Sequence, residues 1–161
     1  MELAVALNPN LLRGNIQNTL TPLGLYSPEA EELLMATAAQ ESLLGQYRTQ
    51  MGGPALGIFQ MEPATFNDIW ANYLHYKPIA APVQALFTNG IINVQDIVNN
   101  DVAAIAMARV QYLRAPGMLP AATDLAGLWA YYKRVWNTPL GSARQADFYR
   151  NYHNLVQGAA R

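Results

Sequence analysis

The strongest constraint on the fold of this chain is the segment from Ser27 to Gly45, which has the features of a complete helix. Ser27 is a favoured N-cap, Pro28 suits the first helical turn, and Glu29 lies near the positive end of the helix dipole. Gly45 is a typical helix stop. Residues three and four apart form one face of this helix: Leu34, Thr37, Ala38, Glu41 and Leu44. The sequence therefore predicts a helix that ends near Gly45 and places one carboxylate, Glu41, among mostly apolar neighbours.

Most of the remaining chain is also helical in pattern. We expect further helices at about 11–19, 64–75, 101–114, 124–136 and 142–156. At 161 residues, with 52% apolar and 13% charged residues, the chain has the length and composition of one compact folded domain. We divide it into an N-terminal arm, residues 1–26, and a domain, residues 27–161. The fold class expected is mainly α, a single helical domain.

One segment breaks the helical pattern. Between Gln46 and Met61 the turn signal Met51-Gly52-Gly53-Pro54 is followed by Leu56-Gly57-Ile58-Phe59-Gln60, which has the pattern of a short extended piece. We therefore predict a small β-element here. In a short strand Phe59 would lie in the core, while Gln60 could offer its amide to a sugar hydroxyl or an N-acetyl group.

Charge and composition exclude several function classes. The formal net charge is -1 with no run of like charges, so nucleic acid is not an expected partner. Without cysteine there are no disulfides and no thiolate metal sites, and His75 and His153 lie far apart, so we expect no metal. No apolar run reaches the roughly 18–20 residues of a membrane span, and no basic residue precedes the apolar start. We expect no membrane insertion and no signal peptide, with delivery by another component if the protein acts outside the cytoplasm.

Glu41 is the first candidate for chemistry. A carboxylic acid on an apolar surface is costly to ionise and holds its proton near neutral pH, which is what glycosidic-bond cleavage requires of a general acid. The alternative is an ordinary helix-end glutamate, hydrogen-bonded by Ser42 or Gln40. Periodicity by itself favours this alternative, because most helix glutamates have no special role.

Aromatic and charged residues supply the other candidates. Three aromatic residues share one helical face and are expected in the core: Trp129, Tyr132 and Trp136. Tyr131 points elsewhere and is predicted to lie in the cleft, with Tyr47 as a second cleft aromatic. Glu62 is interpreted as a helix-start acid and Asp68 as a solvated helix residue. The remaining charges are interpreted as surface charges: Lys133, Arg134 and Arg144.

Several short motifs, in this order, resemble the soluble lytic transglycosylases. The pair Glu41-Ser42 is similar to the first motif of that family, and Gly57-Ile58-Phe59-Gln60 with Pro63-Ala64-Thr65 is similar to its second, GLMQ followed by PAT. The helix from Asp101 to Tyr112-Leu113 resembles a later family helix that ends in tyrosine-leucine. Ala130-Tyr131 resembles the start of the third motif, AYNAG, although Tyr132-Lys133-Arg134 stands where the family has Asn-Ala-Gly.

This resemblance implies a lysozyme-like fold, with the small β-element beside the active-site cleft, and cleavage of the β-1,4 bond between N-acetylmuramic acid and N-acetylglucosamine in peptidoglycan. Glu41 would be the general acid and then the base that closes a 1,6-anhydro ring. The sugar would be positioned by Ser42, Gly57, Ile58, Phe59, Gln60 and Tyr131, without a cofactor. The segment 136–141 is similar to phage-encoded members, which implies other virion proteins as partners. The alternatives are a goose-type muramidase, and a non-enzymatic virion or wall-binding protein on the same fold.

Overall fold

The computed structural model describes residues 5–50, 52–138 and 140–158, and it is mainly helical as expected. Seven α-helices occur in the described ranges. They are α1 (Pro9–Leu20), α2 (Pro28–Ser42), α3 (Pro63–Asn72), α4 (Ala80–Gln84), α5 (Asp101–Leu113), α6 (Leu125–Tyr132) and α7 (Gln145–Tyr152). Short 3-10 helices lie at Leu74–Tyr76, Thr88–Gly90 and Val94–Val98, and π-helical turns extend α6 and α7 through Lys133–Asn137 and His153–Gln157.

Helix α2 forms where the sequence predicts it, and it is the central helix of the domain. The Ser27 side chain accepts a hydrogen bond from the Ala30 N–H at 3.1 Å, which caps the first turn. The helix ends in three consecutive left-handed residues, Leu43, Leu44 and Gly45. Its alanine and leucine side chains are buried on more than one side, because α1, α5, α6 and α7 all pack against it. The position of α2 therefore fixes where its last residues, including Glu41, are presented.

Helix α1 belongs to the same core, which corrects the division into an arm and a domain. Leu12, Ile16 and Leu20 are fully buried in the cluster that also holds the apolar residues of α2 and α5. Arg13 links α1 to α2 through ion pairs of 2.8 Å to Glu31 and 2.7 Å to Glu32. Residues 9–20 are thus one layer of the packed domain. The first four residues of the predicted arm lie outside the described ranges.

The predicted strand at 56–60 is a tight turn, so the extended interpretation was wrong. Leu56 forms isolated antiparallel bridges with Thr49 and with Met61, and residues 57–60 turn between the two halves of the second bridge. Gly57 has φ +80°, and a Cβ at this position would lie 2.4 Å from the carbonyl oxygen of Ile97. Only glycine fits this combination of backbone conformation and close approach. The small β-element is thereby reduced to two bridges.

None of the described helices combines the length and the apolar composition needed to cross a membrane. Nor does the described part of the chain contain a group of three or more histidine, aspartate or glutamate residues that could hold a metal ion.

The burial of α1 gives a test that compares two adjacent leucines. Leu12 is fully buried whereas Leu11 is 59% exposed. We expect Leu12→Ala to lower the free energy of unfolding by about 2–5 kcal/mol, since it removes packed methyl groups and leaves a cavity. Leu11→Ala should change it by less than about 0.5 kcal/mol. Urea unfolding followed by circular dichroism measures both; equal, small effects would mean that α1 is a dispensable arm.

Candidate active site

A cleft of about 620 Å³ opens at the C-terminal end of α2. One side is formed by α2 and by the segment from Gln60 to Thr65, and the other by the end of α6 and the loop after it. Its polar lining includes Gln40, Glu41, Gln60, Glu62, Gln111 and Asn137. A cleft of this size with convergent polar groups is the usual form of a small-ligand or oligosaccharide site.

Glu41 lies in this cleft and holds its proton unusually well. Burial raises the pKa of the Glu41 carboxyl to about 7, and a hydrogen bond from Tyr132 opposes the rise by favouring the carboxylate. The Tyr132 hydroxyl donates this bond to Oε2 of Glu41. Burial dominates because a charge in an apolar environment loses more solvation than one hydrogen bond restores. The sequence prediction of a proton-holding carboxyl at Glu41 is therefore consistent with the geometry.

Tyr132, rather than Tyr131, is the tyrosine at the cleft. Tyr131 is buried with its ring 5.7 Å from that of Tyr112, its hydroxyl donates to the Tyr112 carbonyl at 3.4 Å, and it does not line the cleft. Tyr132 is buried too, but its hydroxyl extends from the end of α6 to Glu41 on α2. The pKa of Tyr132 is raised by burial and by the nearby Glu41, so the phenol stays a donor. Periodicity correctly predicted that the Tyr132 ring lies in the core, but it did not predict that the Tyr132 hydroxyl contacts Glu41.

Ser42 and most of the turn at 57–60 support the site instead of lining it. The Ser42 hydroxyl donates to the Ile58 carbonyl at 2.6 Å and accepts from the Gly45 N–H at 2.8 Å. Ile58 and Phe59 are core residues, and Gly57 packs against the backbone of Ile97. The sequence assigned all four to sugar binding. In the structure these residues instead hold the turn against the end of α2.

Gln60 is the member of that motif that lines the cleft. Its Nε2 donates to the carbonyl oxygens of Gly57 at 2.8 Å and Tyr47 at 3.2 Å. Gln60 adopts a left-handed φ of 51°, so the amide is held at one place by both its backbone and its hydrogen bonds. Tyr47 contributes through its carbonyl, and its side chain is not part of the cleft lining, contrary to the prediction of a cleft aromatic.

The other two acidic residues considered, Glu62 and Asp68, differ in whether they lie at the cleft. Glu62 is the N-cap of α3, makes no capping hydrogen bond through its side chain, and is exposed at the cleft. Asp68 accepts hydrogen bonds from Asn72 at 2.6 Å and Arg114 at 2.7 Å, which lower its pKa, and it lies outside the cleft. Among the lining residues that the structure describes, the acids are thus Glu41 and Glu62.

Lys133 was interpreted as a surface charge and is instead a structural cation. Its ammonium donates to Asn137 Oδ1 at 2.7 Å and to the carbonyl oxygens of Gly141 at 2.7 Å and Ala143 at 3.2 Å. All three acceptors belong to residues that line the cleft. Arg134 lies over the ring of Tyr131, and Arg144 is exposed as predicted. Lys133 therefore holds one wall of the cleft together.

Comparison of the chain with models of known families, with curated proteins and with solved structures gives no match.

Removing the Tyr132 hydroxyl tests the electrostatic balance at Glu41. We expect Tyr132→Phe to raise the pKa of Glu41 further above its value of about 7, because burial is kept while the hydrogen bond that favours the carboxylate is lost. A pH titration of the Glu41 carboxyl carbon by NMR measures the change. Tyr131→Phe is the matched control and should leave the pKa of Glu41 in place. A Glu41 pKa that is unchanged or lower in Tyr132→Phe would contradict the assignment.

Proposed function

We propose that this protein is a peptidoglycan lytic transglycosylase that cleaves the β-1,4 bond between N-acetylmuramic acid and N-acetylglucosamine. The observation that carries the proposal is Glu41, a carboxyl that lies in a cleft, is hydrogen-bonded by Tyr132, and has a pKa near 7. The order of the motifs that resemble the family supports it.

The first chemical step is proton transfer from Glu41 to the glycosidic oxygen. A carboxyl with a pKa of about 7 is largely protonated in mildly acidic solution, about half protonated at neutral pH, and still acidic enough to donate. As the C–O bond breaks, the bonding electrons leave with that oxygen, and the proton from Glu41 completes the new hydroxyl. Tyr132 then donates its hydrogen bond to a full carboxylate, which is a stronger acceptor than the acid.

The second step returns the proton to Glu41. Cleavage leaves positive charge on the muramic ring, and the N-acetyl group of the substrate is the proposed nucleophile that stabilises it. Glu41, now a base, takes the proton of the muramic 6-hydroxyl, and that oxygen attacks the anomeric carbon, displaces the oxygen of the N-acetyl group, which regains its neutral amide form, and gives the 1,6-anhydro product. No water is consumed, and Glu41 ends protonated as it began.

A goose-type muramidase, in which water replaces the 6-hydroxyl, is the second candidate. Glu62 favours it, because this second acid lines the same cleft and makes no capping bond through its side chain. Two carboxyl groups that flank a sugar are the usual arrangement for hydrolysis. Mass analysis of the released muropeptides separates the two candidates: an anhydro end supports the transglycosylase, and a reducing end supports the hydrolase.

The partners we propose are peptidoglycan glycan strands and other virion proteins. The second follows from the similarity of the segment 136–141 to phage-encoded members of the family. In that setting another component would deliver the protein to the wall.

Substitution of Glu41 tests the central assignment. We expect Glu41→Gln to abolish clearing in a peptidoglycan zymogram, because the amide keeps the shape and can accept the Tyr132 hydrogen bond but has no acidic proton to transfer. Glu29→Gln, in the first turn of the same helix, is the control and should remain active. Clearing by Glu41→Gln at the wild-type level would exclude Glu41 as the acid, and inactivity of well-folded wild-type protein would support a wall-binding protein.

Substitution of Glu62 tests the number of carboxyl groups. We expect Glu62→Gln to retain substantial activity, because the proposed mechanism uses the substrate's own N-acetyl group and a single protein carboxyl. Initial rates of muropeptide release measure the effect. Complete loss of activity in a variant with unchanged thermal stability would indicate a two-carboxylate mechanism instead.

A further inference from the structure

Arg109 presents an open guanidinium group on the side of α5 that faces away from the cleft. It lies two residues before Gln111, which lines the cleft, so the two side chains leave the helix about 200° apart. The Nε of Arg109 donates to the carbonyl oxygen of Leu25 at 2.9 Å, which holds the guanidinium plane in place. Its two terminal nitrogens donate to no described residue, and neither is shut off from solvent. The N–H donors of these two nitrogens are therefore left for a ligand.

No described carboxylate neutralises this guanidinium, which distinguishes Arg109 from the other half-buried arginines. Each of those forms an ion pair of 2.6–2.8 Å with an acid; they are Arg13, Arg48 and Arg114. Burial lowers the pKa of Arg109, and the ionisable groups that act on it are the phenols of Tyr131 and Tyr73. A half-buried charge without a counter-charge is unfavourable, and an anion from outside the chain would offset that penalty.

Two more cations lie at the same tyrosines. The Lys77 ammonium lies 4.8 Å from the centre of the Tyr73 ring, and the Arg134 guanidinium carbon lies 5.0 Å from the centre of the Tyr131 ring. Both cationic side chains are exposed, and neither forms an ion pair within the described part of the chain. The Tyr73 hydroxyl also lacks a partner among the described residues and reaches solvent. Together these residues make up a basic surface that consists of Tyr73, Lys77, Arg109, Tyr131 and Arg134.

We propose that the basic surface binds an acidic segment of a partner protein, with one aspartate or glutamate carboxylate on the terminal nitrogens of Arg109 and further carboxylates at Lys77 and Arg134. A planar guanidinium and a carboxylate match each other in two parallel hydrogen bonds. The positive charge is spread over three side chains, which suits single carboxylates spaced along a chain better than the concentrated charge of one phosphate. Since the net charge of the protein is -1, attraction of anions to the whole molecule does not supply this binding. The surface lies outside the cleft, so the inference is independent of the proposed cleavage.

Titration with an acidic peptide tests whether the surface binds. The probe is tetraglutamate with both ends capped, added to isotope-labelled protein while the Nε–H signals of the arginines are followed by NMR. We expect the Arg109 signal to shift and to saturate with a Kd below about 1 mM, while the signal of Arg13, whose guanidinium is already paired, stays in place. Capped tetralysine should shift neither signal. An Arg109 signal that does not shift, or that shifts without saturation, would overturn the proposal, and tighter binding of inorganic phosphate would overturn the choice of an acidic segment.

Substitutions in the basic surface test which groups carry the binding. Arg109→Gln removes the charge, and we expect the affinity for tetraglutamate to fall at least about tenfold. Arg109→Lys keeps the charge but cannot make two parallel hydrogen bonds, so a loss of about fivefold is expected. Arg134→Gln, at an exposed side chain, should lower the affinity about twofold without changing the thermal stability. The matched control is Arg144→Gln, an exposed arginine at the start of α7 and outside the surface, which should bind as the wild type does.

Equal losses of affinity in Arg134→Gln and Arg144→Gln would indicate diffuse attraction and overturn the proposal, as would wild-type affinity in a folded Arg109→Gln protein. If Arg109→Gln does not fold, wild-type affinity in both Arg109→Lys and Arg134→Gln has the same consequence. Failure of the surface and failure of the proposed activity are distinguishable. Glu41→Gln should bind tetraglutamate like the wild type, and Arg109→Lys should release muropeptides at the wild-type rate, so each result refutes one proposal without the other.

Discussion

The burial of α2 on several sides is the constraint on which the rest of the structure depends. Four helices pack around it, and its small residues, including Ala38 and Ala39, let them approach closely. The helix ends at Ser42, and the chain leaves it through three residues of positive φ, Leu43, Leu44 and Gly45. Glu41 occupies the last turn before that break. Its environment is therefore part core and part cleft, which is the environment a general acid needs.

Two opposing effects set the state of Glu41, and the larger one decides the chemistry. Burial favours the neutral acid, and the hydroxyl of Tyr132 favours the carboxylate. A carboxyl without the tyrosine would hold its proton more tightly and donate it less readily, while one in open water would be ionised well below neutral pH. The two effects together place the pKa of Glu41 between these limits, at about 7.

How much of this could be predicted from the sequence depends on the range of the interactions. The start of α2 follows from Ser27 and Pro28, since capping is local chemistry, whereas the helix ends at Ser42 with left-handed Leu43 as its C-cap, two residues before Gly45. The turn at 57–60 could not be predicted in the same way, and the sequence indicated a strand there. The contact that requires glycine at position 57 is made by the carbonyl oxygen of Ile97, which lies 40 residues further along the chain. Likewise, residues 131 and 132 differ by about 100° around a helix. Periodicity cannot show which hydroxyl of that pair meets Glu41.

The chain departs most from the third motif of the resembled family at Tyr132-Lys133-Arg134. In the structure, Tyr132 and Lys133 make different contacts. The Tyr132 hydroxyl donates to Glu41, and the Lys133 ammonium donates to three oxygens of the segment that follows α6. Lys133 stands where the motif of the resembled family has alanine, and its ammonium is held by oxygens of the protein itself. Because an ammonium can only donate, the Asn137 side chain turns its amide oxygen toward Lys133 and its N–H group away from it.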